Sequence, residues 1–471
     1  MTNKRIHVFG NDVLADHDAV ALAELMRKGE ISAREVAEAA IARSEKVQQA
    51  LNAVELPLYD KARAVPEKPG EGVFAGVPTF IKDNADLEGL PTRQGSRAVN
   101  PRPAKKTGAF AKQYLSMGFN VLGKSSLPEF GFNATTEFAE DPPTLNPWNP
   151  AYSSGASSGG SAVLVAAGAV PIAHANDGGG SIRIPAAVCG LVGLKPTLGR
   201  FIDAEASRSL PHNIIGEGVV TRSVRDTAMF FHGAEQYFHN RKMPRIGLVE
   251  GPGQKRLRIG VVYDSITGHA TCPETRATVE QTGKLLASLG HHVEEMPLPV
   301  PPSFADDFRF YWGMLSFLIT TFGKQVLSPD FDKSKLDGLS IGLAKEYRKR
   351  FYKTPAVLYR LKRTRHQYAE QFRQYDLVLS PVLAHTTPEI GHISPNVPFD
   401  TLMDRLERYV SFTPLNNAAG SPAISLPMGA SKDDLPIGVQ FSAAHGAERT
   451  LLEIAFELEQ AQPWRRIQDG T

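Results

Sequence analysis

From residue 74 to the C-terminus, short apolar runs of strand type alternate with runs of helical period. "GVPTFIKD" reads as a strand and is followed by a helix around 105–117, and "FNVL" reads as the next short strand. "SAVLVAAGAV" is a buried small-residue helix, "PIAHAND" a strand, "SIRIPAAVCG" a short helix and "LVGLKPTLGR" a strand. The pattern repeats through "RLRIGVVYDS", "CPETRATVEQTGKLLASLG" and "HHVEEMPL", then through "YDLVLSPV", "SPAISLPMG", "PIGVQFSAA" and a closing helix "ERTLLEIAFELEQAQPW". Such alternation predicts a layered α/β architecture. Upstream, "SAREVAEAAIARSEKVQQAL" opens on Ser32 with Glu35 three residues later, a capping box before an apolar-periodic run. A Pro/Gly-rich linker, "VPEKPGEG", spans 65–72, and 141–161 is irregular loop. No repeat, low-complexity tract or long linker divides the chain. We expect one domain over 1–471, with a helical N-terminal segment (about 1–65), a core (about 74–240) and a helical, aromatic, basic region (about 300–370).

With 471 residues, 42% of them apolar and 22% charged, the chain can bury a large core. The 52 basic and 50 acidic residues leave a net charge of +2, which makes no electrostatic case for nucleic acid or an anionic membrane. The first residues lack a signal-peptide core, and no apolar run approaches membrane-spanning length. Cys189 and Cys272 sit in no C-x-x-C or metal-ligand pattern. The expectation is a soluble cytoplasmic protein of a reducing compartment, with no cofactor or metal, acting as a monomer or homodimer.

Two motif matches mislead. "GFNVLGKS", residues 118–125, fits the phosphate-loop pattern G-x-x-x-x-G-K-[ST]. That loop needs a strand before its first glycine and a helix after its lysine. Here a helical run precedes Gly118, "FNVL" is strand-like, and Lys124 starts a connection toward Pro128. "GASSG", 155–159, fits the G-x-S-x-G nucleophile elbow, but loop rather than an apolar strand precedes it.

Another grouping is more informative. Two glycine-flanked serines, Ser157 and Ser181, lie 24 residues apart, separated by a buried helix and a strand, and Lys82 closes an apolar strand upstream. A serine hydroxyl needs a base to become a nucleophile. Lysine serves only when neutral, and with its ordinary pKa of about 10.4 that is roughly 0.1% of the time near pH 7.4. Burial lowers a lysine pKa by as much as about 3–5 units. Taken singly, each of these features is equally an ordinary turn or strand end. His174 is a strand residue leading into the turn, and His291, His292 and Glu294 in "GHHVEEM" read as a helix-to-strand turn rather than a metal site.

Together, "GVPTFIKD", "NPWNP", "SSGASSGGSAVLVAAG" and "HANDGGGSIRIPAAVCGLVGLKPTLGR" resemble the amidase signature family of serine hydrolases. The likeness runs from about residue 15 to the C-terminus, through "GSPAISLPMG", "LPIGVQF" and "LEQAQPW". It implies one large mixed central sheet with helices on both faces. It also implies a triad of Ser181 as nucleophile, Ser157 as a bridging serine after a cis peptide bond, and Lys82 as base. The N–H groups of Gly178, Gly179, Gly180 and Ser181 correspond to the oxyanion hole. Ala156 stands where the family usually has glycine, and Gly178 where many relatives have threonine.

The chemistry so implied is amide hydrolysis through an acyl-enzyme. The substrate expectation is an uncharged linear or aryl amide, with carbamates (urethanes) and esters included, as in nylon-oligomer (6-aminohexanoate-type) amidases. Asn133 and Thr135, in the loop "GFNATTEF", are expected to line the pocket beside Ser157. Residues 303–323, with five phenylalanines, Tyr311 and Trp312, either cap the pocket or form core. The alternative reading is the amidase-like subunit of a tRNA-dependent amidotransferase. Ile184, where that subunit usually has glutamine, favours the stand-alone enzyme.

Overall fold

The computed structural model describes residues 5–265, 267–297 and 300–469. The first four residues of the expected N-terminal segment, Leu298 and Pro299 of the turn after "GHHVEEM", and the last two residues lie outside these. Eleven strands are formed among the described residues: β1 (Val54–Pro57), β2 (Pro78–Lys82), β3 (Asn120–Ser125), β4 (Ile172–Asp177), β5 (Val192–Lys195), β6 (Gly216–Thr221), β7 (Arg258–Val261), β8 (His292–Glu295), β9 (Leu377–Pro381), β10 (Ala423–Ala430) and β11 (Pro436–Ala443).

Eight strands make the main sheet, in the order β4-β6-β5-β10-β11-β9-β7-β8. Pairing is antiparallel from β4 to β9 and parallel across β9, β7 and β8. Helices cover both faces, so central strands such as β5 and β11 are buried throughout, their polar residues Lys195, Gln440 and Ser442 included. One hydrophobic cluster extends from Leu14 to Leu458. Among the described residues no helix is long and apolar enough to cross a membrane.

The structure adds what the alternation does not reveal. Lys82 is not on the main sheet: β2 belongs to a separate three-stranded sheet, β1-β3-β2. Side chains join β2 to β4 in place of a ladder, with Thr79 Oγ1 donating to Ile172 O and the Lys82 N–H donating to His174 Nδ1. β1 falls inside the segment expected to be helical, because four residues are too few to display a period. β6, which inserts between β4 and β5, begins "GEG" and shows no strand signature. β3 runs through Gly123, Lys124 and Ser125, three residues beyond the strand read in "FNVL". The capping box forms as read, with Ser32 Oγ accepting the Glu35 N–H and Glu35 Oε2 accepting the Ser32 N–H.

The helix Gly159–Ala166, buried along its whole length, carries the serine loop at its N-terminus. It lies so close to the small sheet that a Cβ on Gly160 would come within 2.5 Å of the Ser126 nitrogen and 2.6 Å of the Ala53 oxygen. Only glycine permits that approach. It brings the serine loop against the end of β2.

Candidate active site

Lys82, at the C-terminal end of β2, is fully buried. Its Nζ lies 2.7 Å from Ser157 Oγ, 2.7 Å from Asn176 Oδ1 and 3.0 Å from Ser158 Oγ. Burial pushes its pKa down from 10.5 to about 7, against the opposing pull of Glu217 and Asp177. Near neutrality a large fraction of this amine is therefore unprotonated and able to accept a proton. Ser157 follows a cis Ala156–Ser157 peptide bond. The hydroxyl and the amine are in hydrogen-bond contact before any substrate arrives.

The "GGGS" turn is held from below by Asp177, the last residue of β4. Its carboxylate accepts the Gly180 N–H at 2.7 Å, the Ile182 N–H at 3.1 Å and the Arg183 side chain at 2.9 Å. Arg183 is itself fully buried and also donates to Gln440, Asn416 and Asn417. Burial pushes the Asp177 pKa upward, but Arg183, then Lys195 and Asn417, overcome this and hold it well below the usual carboxylate range. The Gly180 N–H, expected in the oxyanion set, is spent on Asp177. Gly180 has a φ of +132°, and a Cβ there would lie 2.4 Å from Thr413 Oγ1, so its glycine serves backbone geometry.

Ser181 and Gly179 open onto a cleft of about 870 Å³, counting its mouth. Phe132, Phe308, Trp312, Met403, Leu406 and Val410 form much of its wall. The helix Phe304–Val326 resolves the choice between cap and core by doing both. Phe304, Phe308 and Trp312, spaced four residues apart, line the cleft, whereas Phe310, Tyr311 and Met314 are buried. Phe308 and Trp312 are stacked at 5.7 Å, and Trp312 meets Phe132 edge-on at 5.5 Å. The charged lining residues, Arg309 and Glu407, are bonded to each other at 2.8 Å, and Arg309 also binds Glu346.

Asn133 lines the cleft, but its amide donates to Ile393 O and its oxygen accepts the Ala134 N–H. Thr135 does not line it. The chain turns inward after Ala134, and Thr135 is buried between Glu137 and Ser153, bonded to both. Lys124 of the phosphate-loop match is also buried, paired with Asp83 at 2.7 Å and donating to Pro91 O and Thr92 Oγ1, so it has nothing left for a phosphate. His174 accepts the Lys82 N–H through Nδ1 and faces Glu217 through Nε2. His291 accepts the Leu257 N–H and meets Glu457, while His292 is exposed. Among the described residues no group of His, Cys, Asp and Glu is placed to hold a metal.

Several site residues escape a reading of the sequence. Ser158 and Asn176 are neighbours of residues that stand out there, and nothing local indicates that their side chains meet Lys82. The Met403, Leu406 and Val410 wall comes from the helix Phe399–Tyr409 and the residue after it, where the helical period of "LMDRLERYV" is the available signal.

Comparison with known proteins identifies the family. The Amidase family model matches residues 35–452. A Mycobacterium leprae protein named as the amidase AmiC is 48% identical over 469 residues, covering 99% of this chain and 100% of that one. The 6-aminohexanoate-cyclic-dimer hydrolase of Paenarthrobacter ureafaciens is 36% identical over 475 residues, with 95% of each chain covered. Among solved structures, a 6-aminohexanoate cyclic dimer hydrolase superposes with a TM-score of 0.87 at 33% identity, covering 98% of this chain and 99% of that one. A bacterial aryl acylamidase of the amidase signature family superposes with a TM-score of 0.82 at 26% identity, covering 95% and 96%. The chain thus belongs to the amidase signature family, hydrolases acting on non-peptide carbon–nitrogen bonds.

Proposed function

We propose that this chain hydrolyses uncharged amides with apolar or aryl acyl groups, using Ser181 as nucleophile, Ser157 as relay and Lys82 as base. The observation that carries the reading is the fully buried amine of Lys82, 2.7 Å from Ser157 Oγ, with a pKa brought down to about 7 by burial. Neutral Lys82 takes the Ser157 proton, Ser157 takes that of Ser181, and Ser181 Oγ bonds to the substrate carbonyl carbon. The resulting oxyanion faces the N–H groups of Gly178, Gly179 and Ser181. Loss of one such donor typically costs about 10²–10³ in rate. The proton returns through Ser157 to the departing amine as the carbon–nitrogen bond breaks. Water then attacks the acyl-enzyme by the same relay and releases the acid.

The cleft supports the substrate class. Its wall is largely aromatic and aliphatic, and its two charged side chains satisfy each other. A charged acyl group would lose its water without gaining a free partner. Esters and carbamates fit the same chemistry, since the relay requires only an attackable carbonyl. The names of the relatives, a cyclic-dimer amide hydrolase and an aryl acylamidase, point the same way. Ile184 in the cleft wall, where the tRNA-dependent amidotransferase subunit usually has glutamine, supports a stand-alone enzyme.

Labelling with a fluorophosphonate and peptide mass mapping test the assignment. The adduct is expected on Ser181 and is lost in Ser181→Ala; an adduct on a different serine refutes it. In a panel of anilide, aliphatic amide, carbamate and ester substrates, neutral apolar acyl groups are expected to give the highest kcat/KM. A preference for charged acyl groups would overturn the substrate class.

A further inference from the structure

We infer that Asn176 and Ser158 are positioning residues that aim the lone pair of Lys82 at Ser157. The inference rests on the assignment of Lys82 as base and concerns how that base is held. A neutral amine has two N–H donors and one lone pair, and Lys82 Nζ has three neighbours within 3.0 Å. Asn176 presents its carbonyl oxygen, which can only accept. Ser158 sends its own hydrogen to the Asn176 backbone oxygen at 3.3 Å, so toward Lys82 its Oγ accepts. Both N–H bonds are then committed, and the lone pair is left in the third direction, toward Ser157 Oγ–H.

The same cage serves the protonated state. Once Lys82 has taken the Ser157 proton it has three N–H donors and meets three acceptors: Asn176 Oδ1, Ser158 Oγ and Ser157 Oγ. The proton therefore moves without rearrangement of the surrounding dipoles, the condition under which fixed polar groups contribute most to rate. The other charged or titratable groups around Lys82 are Asp177 and His174 on β4, Glu217 on β6, and the buried Asp83–Lys124 pair at the end of β2 and in β3. None of the three hydrogen-bond partners of Nζ carries charge, so the polarity of the cage can be changed one partner at a time.

The test is the pH profile of kcat/KM for purified full-length variants on an anilide. Asn176→Asp places a carboxylate against Nζ and is expected to move the acidic limb up by about one to three pH units, with activity recovering at high pH. Asn176→Leu removes an acceptor from the ammonium, and its limb is expected to move down by about one unit while the plateau kcat falls about tenfold. Ser158→Ala should shift in the same direction as Asn176→Leu. If Asn176→Leu fails to fold, the near-isosteric Asn176→Asp carries the test. Limbs that stay in place in every folded variant, whatever the loss of kcat or thermal stability, overturn the positioning role. Lys82→Met run alongside separates the two readings. If it is inactive yet keeps the parent's thermal stability, an unmoved limb refutes the cage alone; if it is active, the base assignment fails and the cage with it.

Discussion

Lys82 ends an all-buried strand, and that placement strips water from the amine while setting it against a hydroxyl. With a folded pKa of about 7, kcat/KM should rise about tenfold per pH unit below neutrality and level off above it, as the amine loses its proton. Lys82→Arg is the sharpest control, because a guanidinium stays protonated at every accessible pH. It should lose at least about 10³ in kcat with no recovery at alkaline pH, measured as a full pH–rate profile. Recovery at high pH would mean that another group is the base. Lys82 stands out in the sequence only in combination with the two glycine-flanked serines, since a lysine closing an apolar strand is by itself an ordinary strand end. Asn176 is not legible, because its meeting with Nζ depends on β2 and β4 packing side by side without a ladder. Thr135 shows the converse error: it shares a loop with Asn133, but the chain turns inward between them and only one of the two reaches the cleft.

The helix Phe304–Val326 divides its aromatic residues between cleft and core at helical spacing, an assignment its composition alone does not make. A one-residue change of phase would exchange the two faces, and the packing partners that set the phase are distant in sequence. Trp312 is the strongest anchor on the cleft side, stacked on Phe308, with its indole N–H donating to Phe132 O at 3.1 Å. Trp312→Ala should lower kcat/KM for aryl acyl amides by about 10- to 200-fold, the usual discrimination of an apolar pocket, and change acetyl amides far less. Equal losses on both substrates would show that Trp312 supports the fold and not the acyl group. Long elements with strong period, such as Ala33–Leu51 and Glu448–Ala461, are readable because their pattern repeats over several turns. β1 and β6 are not, because four residues, or a strand beginning "GEG", depend on their partners for definition.

Across the whole molecule, the turn that carries Ser181 is anchored to a buried ionic layer reaching from β4 to the C-terminal third. Arg183 meets Asp177, Asn416, Asn417 and Gln440, and Lys195, fully buried on β5, lies in the fields of Arg183, Asp177 and Glu448. Burial, then Arg183, pushes the Lys195 pKa down from 10.5 to about 7, against Asp177 and Glu448, and Nζ keeps one bond to Pro196 O at 2.7 Å. The linkage follows from where the protons sit. Between about pH 7 and 10 the unfolded chain holds a proton on this lysine that the folded chain does not, so stability rises with pH by about 1.4 kcal/mol per unit from this group. Lys195→Met removes the titration while keeping an unbranched apolar stem. Relative to the parent, the variant should be most favoured at pH 7, and the difference should shrink by about 1.4 kcal/mol for each unit of pH up to about 10. Urea unfolding of both proteins at about pH 7, 8 and 9 and at fixed ionic strength measures this. Lys82, Cys189 and the buried tyrosines contribute to both proteins and cancel in the difference. A gap that does not change with pH would mean that Lys195 keeps an ordinary lysine pKa in the fold, and that Asp177 and Glu448 outweigh its burial.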